Sequence, residues 1–237
     1  MDKVAVYSGT RNVYPQMYTS LKSLLLNNDM DRVYLMIEDD EFPYPIPKNV
    51  IIANVSGQEF FKPGSANHGR PWSYMDLLRC CLAAIFQQEK QMLWLDIDTI
   101  IDDDITDLFS LNMDGYFYAG AIEPKKSIGV FQYINTGVVL CNLEHLRLWQ
   151  KEVEMIAFLN TYELMWPGQD VINIFCQGRM RILSSEYNKN AFCLPTNTPR
   201  ILHYAAIKPE EYMNDWAYKK YEKMELPLTE ESDDSRQ

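Results

Sequence analysis

The chain has 237 residues, 47% hydrophobic and 13% aromatic, with a formal net charge of −11. A chain of this size buries enough apolar surface for one compact domain with at most a small added lobe. Its acidity excludes nucleic acid and anionic membrane surfaces as general partners. Part of the negative excess lies in the run Thr229-Glu230-Glu231-Ser232-Asp233-Asp234, which reads as a solvated tail. The expected organisation is a domain over 1–222 followed by a disordered acidic tail over 223–237.

The N-terminal residues lead straight into the apolar run Val4-Ala5-Val6-Tyr7, a short buried strand with no signal-type apolar region before it. The loop Ser8-Gly9-Thr10-Arg11-Asn12 closes it. Pro15 then opens a helix carrying Met17, Leu21, Leu24 and Leu25 at helical spacing, and Asn27-Asn28-Asp29 ends it. Val33-Tyr34-Leu35-Met36-Ile37 reads as a second strand. Phe42-Pro43-Tyr44-Pro45-Ile46-Pro47 must be extended, and Val50-Ile51-Ile52-Ala53 is a third strand. A polar loop leads to a helix over 73–87, and Met92-Leu93-Trp94-Leu95 is a fully buried strand. Further on, the pattern predicts strands over 116–121 and 137–140 and helices over 143–160 and 169–176. Strands alternating with helices imply an open α/β sheet, largely parallel, with its ligands beyond the carboxyl ends of strands.

Five cysteines occur, at Cys80, Cys81, Cys141, Cys176 and Cys193. The odd number, the absence of a C-x-x-C pair and the apolar surroundings fit reduced, buried thiols. No apolar stretch approaches the roughly 18 residues of a membrane span. These features predict a cytoplasmic protein that is not an integral membrane protein.

Asp96-Ile97-Asp98 follows Leu93-Trp94-Leu95 just where that strand runs out. Side chains at i and i+2 of an extended segment point the same way, so the two carboxylates converge. Held close, they repel without a cation, and hard divalent ions prefer oxygen ligands. A metal bridging them to a diphosphate is one reading; a solvated acidic loop continuing into Asp102-Asp103-Asp104 is the other.

Other blocks join this one in order: Val6-Tyr7-Ser8-Gly9-Thr10 with Ser20-Leu21-Lys22-Ser23-Leu24; Arg79; Trp94-Leu95-Asp96-Ile97-Asp98-Thr99; Tyr133-Ile134-Asn135-Thr136-Gly137-Val138 with Asn142; and Gly168-Gln169-Asp170-Val171-Ile172-Asn173 with His203-Tyr204 and Lys208-Pro209. Together they resemble family 8 of the retaining glycosyltransferases, which includes bacterial lipopolysaccharide galactosyltransferases and the glycogenins. The resemblance implies a GT-A fold: a Rossmann-like, mostly parallel central sheet flanked by helices, with a small additional C-terminal part. It also implies transfer of a hexose from a nucleotide-diphosphate sugar, a UDP-sugar, to an acceptor that is a glycan, a lipid-linked glycan or a protein. The anomeric configuration would be retained.

Residue by residue, the resemblance gives the uracil and ribose to Tyr7, Ser8, Gly9 and Thr10. Arg79, Ile97 and Asn135 would meet the donor, and Lys208 would add a cation beside the leaving group. Asp96, Asp98 and His203 would hold the metal, Mn2+ with Mg2+ as the alternative. Gln169 and Asp170 would stand at the reacting face, and Glu123 on the acceptor side. His68 and His145 receive no chemistry. Three departures stand out. Gly168 replaces the first acid of the family's Asp-Gln-Asp, and Ala205-Ala206-Ile207 lacks the family's glycine and brings Lys208 one residue closer to His203. Glu123 stands where an aspartate is common.

Two rival readings remain at this point. Haloacid-dehalogenase-type phosphatases also carry Asp-x-Asp after a buried strand, but near the start of the domain and with Thr or Val where this chain has Ile100. A nucleotide-sugar-binding protein without turnover would share the blocks and tolerate the loss at Gly168.

Overall fold

The computed structural model describes residues 2–69 and 73–227, so the acidic run over 229–234 lies outside the described residues. In chain order its main elements are β1 (Val4–Ser8), α1 (Tyr14–Asn27), β2 (Arg32–Ile37), β3 (Val50–Asn54), a 3-10 helix (Tyr74–Cys80), α2 (Leu82–Ile85), β4 (Gln91–Leu95), β5 (Thr99–Ile101), β6 (Tyr118–Ile122) and β7 (Ile134–Asn142). They continue with α3 (Leu143–Leu148), α4 (Lys151–Thr161), α5 (Pro167–Phe175), β8 (Met180–Leu183), β9 (Ile201–His203), α6 (Pro209–Tyr212) and α7 (Trp216–Glu222).

Seven strands form one sheet in the order β3-β2-β1-β4-β7-β6-β8, while β5 and β9 pair separately. The pairs β3–β2, β2–β1, β1–β4 and β6–β8 are parallel; β7 runs against both neighbours. The expected mostly parallel sheet is therefore present, with one reversed strand near its centre. Strand order turns back between β1 and β4, which opens a crevice at their carboxyl ends.

The period of two along each strand builds two cores. Val4, Val6, Met92, Trp94, Val139 and Cys141 face one side, where the 3-10 helix and α2 to α5 cover them. Ala5, Tyr7, Leu93, Leu95, Val138 and Leu140 face the other, against Tyr14, Met17, Leu21 and Leu24 of α1. All five cysteines are buried and free. A third cluster joins Ile100 of β5 to Tyr212, Ala217, Tyr218 and Tyr221, the small C-terminal part. Lys22 of α1 fastens it by donating to the carbonyls of Glu222 (2.6 Å) and Met224 (2.9 Å).

Two expected helices are divided. The segment over 73–87 begins as a 3-10 helix, whose three-residue turn brings Asp76 and Arg79 into line on one face. The segment over 143–160 breaks at Gln150, which adopts the left-handed φ of 52°. The break frees Arg147 to donate to the carbonyls of Ala83 (3.2 Å) and Glu89 (2.6 Å) around the end of α2. β7 is longer than expected, running on through Ile134-Asn135-Thr136. The short strands β5 and β8 carried too few residues to stand out.

Buried Glu152 of α4 caps α2, accepting from the N–H groups of Ala83 (2.7 Å) and Ala84 (2.8 Å). Burial pushes its carboxyl up to about 7 from the ordinary 4.5, although both hydrogen bonds pull the other way. The folded chain thus holds this proton more tightly than the unfolded one. The associated stability is full below the unfolded value and is lost as pH rises through the folded one. Glu152→Gln cannot ionise, so between pH 5 and pH 8 the gap between wild type and variant should move by roughly 2–3 kcal/mol in the variant's favour. Urea unfolding at the two pH values reads this directly; a constant gap would remove Glu152 from the pH response.

Candidate active site

A cavity of about 610 Å³ opens at the crevice between β1 and β4. Ser8, Gly9 and Thr10 line it, together with Asp96, Ile97, Asp98 and His203 and with Glu123, Asn135, Gln169, Trp166 and Phe192.

Pairing of β5 with β9 sets Thr99 opposite His203, and Tyr204 N–H donates to Asp98 O at 2.9 Å. That register carries a histidine a hundred residues downstream onto the acidic motif. His203 Nε2 lies 3.8 Å from Asp96 Oδ2 and 3.4 Å from Asp98 Oδ1. One ligand atom from each of the three residues falls within 4.8 Å of the others, spacing that a single ion can bridge. Burial disfavours charge on both His203 and Asp98, yet their mutual attraction outweighs it. The imidazole is raised and the Asp98 carboxyl lowered from their ordinary values.

The remaining atoms of this set are already committed. Asp96 Oδ1 accepts from Trp94 Nε1 (2.7 Å) and Arg79 Nη2 (3.0 Å), which leaves Oδ2 to face His203. Buried Asn188 donates from Nδ2 to Asn135 Oδ1 (2.9 Å), so its own oxygen faces His203 Nδ1 at 2.9 Å. Nδ1 therefore carries a hydrogen in either charge state of the ring, and Nε2 is the nitrogen turned to the carboxylates, able to ligate an ion once it gives up its proton. Gly137 on β7 makes the approach possible. A Cβ there would collide with the His203 ring and stand 2.7 Å from Asp96 Oδ2.

Elsewhere in the lining, buried Glu123 accepts from Asn135 Nδ2 (2.7 Å) and Gln169 Nε2 (3.2 Å) and pairs with Lys126 (3.1 Å). Lys126 also lies over the rings of Tyr133 and Trp166. Gln169 Oε1 accepts from Thr136 N–H at 3.0 Å, which fixes the amide between a backbone donor and a carboxylate.

Against this geometry, comparison with known proteins is decisive. The family described as "Glycosyl transferase family 8" matches residues 5–209. The chain belongs to this family. Among curated relatives, glycosyltransferase GlyB of Streptococcus pneumoniae is 20% identical over 90% of this chain and 59% of its own length. The lipopolysaccharide 1,2-glucosyltransferase of Escherichia coli is 28% identical over 61% of this chain and 51% of its own. The chain thus spans about half to three fifths of the length of these relatives. Among solved structures, GlyE of S. pneumoniae superposes with a TM-score of 0.68 at 22% identity, covering 95% of this chain and 61% of that one. Galactosyltransferase LgtC, solved with donor and acceptor sugar analogues, gives 0.61 at 15% identity, covering 92% and 93%. The fold is the GT-A arrangement of this family. Family membership removes the phosphatase reading of Asp96-Ile97-Asp98.

Several expected positions lie elsewhere. Among the described residues, Tyr7, Asp170 and Lys208 do not line the cavity. Strand alternation turns Tyr7 into the core, where Ser20 Oγ meets its hydroxyl at 3.1 Å. The Asp170 carboxylate turns back onto its own helix end, accepting from Trp166 N–H (2.9 Å) and the Tyr133 hydroxyl. Lys208 is the N-cap of α6. Ala206, at the place of the family's glycine, holds a left-handed φ of 61°, a strain of about 1 kcal/mol that glycine would not carry. Arg79 lines the cavity, yet its five N–H donors are all taken: Nε by Asp76 O, Nη1 by Thr136 O and Oγ1, Nη2 by Asp96 and Asp76 carboxylates. It organises the site rather than offering a spare hydrogen.

Sequence reading passed over Asp76, Lys126, Trp166, Phe192 and Asn188. Of these, Asp76 and Trp166 stand within a few residues of recognised blocks, Arg79 and Gly168, but carry no motif of their own.

The orientation of His203 is testable through Asn188. Asn188→Leu removes the acceptor for Nδ1–H and should weaken manganese binding about 10–100-fold, as loss of such partners does elsewhere. Asn188→Asp keeps an acceptor and should retain most of the affinity. Calorimetric titration with manganese alone, on variants whose melting is checked first, measures both; wild-type affinity in Asn188→Leu would free His203 from this control.

Proposed function

We propose that the chain is a metal-dependent retaining hexosyltransferase, taking its sugar from a nucleotide-diphosphate donor, a UDP-sugar, and passing it to a glycan, lipid-linked glycan or protein acceptor. The observation that carries this reading is the convergence of Asp96, Asp98 and His203 in the lining of one cavity. Two hard carboxylate oxygens and one imidazole nitrogen suit manganese, with magnesium the alternative. When bound there, the ion would supply Lewis-acid stabilisation of the diphosphate leaving group.

The chain's own residues supply the rest. Ser8, Gly9 and Thr10 would seat the nucleoside end beside β1. Arg79 and Trp94 hold Asp96 so that the ligand set is formed in advance of binding. Gln169 and Glu123, tied to each other and to Asn135, form a polar wall of the cavity where the sugar and acceptor hydroxyl would meet. With Asp170 turned away, no carboxylate from the first turn of α5 is offered as a nucleophile. We therefore favour attack from the leaving-group face, the diphosphate oxygen taking the acceptor's proton. The five buried free cysteines support the cytoplasm as the location, and no helix among the described residues is long and apolar enough to cross a membrane.

Donor binding should require the divalent ion. Saturating UDP-glucose or UDP-galactose at ~100-fold its dissociation constant stabilises by about 2.7 kcal/mol, a melting rise of about 5–10 °C. The rise should appear with manganese, vanish in chelator, and be lost in Asp98→Ala and His203→Ala but not in His145→Ala. A shift that survives chelation removes the metal from the reading. Hydrolysis of the bound donor without acceptor separates an enzyme from a mere binder.

Stereochemistry tests the rest. The linkage formed should keep the donor's α configuration, and Gln169→Ala should slow transfer at least tenfold while sparing donor affinity. NMR of the fresh product decides; a β linkage overturns retention, and a sugar covalently attached to Asp170 overturns the same-face mechanism.

A further inference from the structure

Gly168 occupies the second position of α5, and nothing about the backbone there calls for glycine. Its φ lies outside the left-handed region. An acidic residue in the first turn would even be favoured by the helix dipole. What calls for glycine is a neighbour. A Cβ at 168 would stand 3.1 Å from Asp76 Oδ2 and 3.2 Å from Arg79 Nε, tighter than side chains normally pack.

Asp76 comes from a different element, the 3-10 helix before α2, and lines the cavity with Arg79 and Gln169. Its Oδ1 is held by Arg79 Nη2. Its Oδ2 accepts no hydrogen bond among the described residues, although the side chain is only 23% exposed. An unpartnered carboxylate oxygen on a residue that lines the cavity is available to accept a hydrogen from whatever enters. Arg79 cannot be the group that greets a sugar, because its N–H groups are spent on Asp76, Asp96 and Thr136. A carboxylate oxygen accepts two hydrogen bonds, which matches adjacent hydroxyls of a hexose ring.

We propose that Asp76, admitted by the missing side chain at Gly168, is the residue that binds the hydroxyls of the donor hexose and selects among donors. Asp76 and Gly168 form one device: the carboxylate reaches the sugar from the 3-10 helix only because the first turn of α5 leaves room for it. An acid at 168 in addition to Asp76 would crowd two negative charges together and repel. The inference rests on the nucleotide-sugar reading above, so the nucleotide and the sugar must be measured apart.

The experiment compares Asp76→Ala, Asp76→Asn, Gly168→Asp and the double variant Asp76→Ala/Gly168→Asp with wild type. Each is titrated in manganese with UDP, UDP-glucose and UDP-galactose, after its melting has been checked. UDP affinity should stay within about twofold throughout. Asp76→Ala should lose at least tenfold in affinity for whichever UDP-hexose wild type prefers, and the preference between the two epimers should narrow. Gly168→Asp should lose as much. The double variant, with one carboxylate restored from the opposite side, should recover most of the loss; a merely structural role for Asp76 predicts no such rescue. UDP-hexose affinity unchanged in Asp76→Ala and Asp76→Asn, or losses that simply add in the double variant, would overturn the assignment. If Asp76→Ala does not fold, Gly168→Asp with and without Asp76→Asn carries the same comparison. Failure of UDP to bind wild type would instead sink the nucleotide-sugar reading itself.

Discussion

Two carboxylates at the end of a buried strand must be held apart from their own repulsion, and the site of this protein is organised around that need. Arg79 and the Trp94 indole take one oxygen of Asp96, and His203 approaches the other side between Asp96 and Asp98. The arginine is itself buried, so it requires a second carboxylate, and Asp76 provides it. The result is an alternating array, Asp76–Arg79–Asp96–His203–Asp98, that crosses three elements. Each member is placed by the charge of its neighbours, which is why the site is preorganised rather than loose.

Backbone pairing makes this array reachable. Asp96 N–H donates to Gly137 O at 2.7 Å, locking the end of β4 to the reversed strand β7. The β5–β9 pair then folds the chain back so that His203 lands across from Thr99. Both contacts work only because Gly137 has no side chain in the space shared by the imidazole and the carboxylate. The C-terminal segment that follows is anchored through Lys22 and the tyrosine cluster on α6 and α7, so the position of His203 depends on packing far from the cavity.

Two of the three departures from the family pattern differ in physical character. Ala206 keeps the turn that glycine would make and bears modest strain for it. Gly168 is not strained at all; it leaves a space, and a charged group from another helix fills it. The first alters the cost of a loop, the second alters which atoms face the cavity.

Much of this was legible in the residues. Strand periodicity over Val4-Ala5-Val6-Tyr7 and Met92-Leu93-Trp94-Leu95, the helix opened by Pro15, and the acidic pair at a strand end fixed the α/β class and the place of the site, because those signals are local. The ordered blocks from Tyr7 to Pro209 were enough for the family. Tertiary structure alone decided what depends on distant parts of the chain meeting. It turned Tyr7 inward by the register of β1, and Asp170 back onto Trp166 N–H. It saturated Arg79, set the His203 ring through Asn188, and brought Asp76 against Gly168 across a gap of ninety-odd positions. A sequence records which side chains exist and how they alternate; whether a hydrogen-bonding group is already satisfied is settled only by the neighbours that folding brings to it.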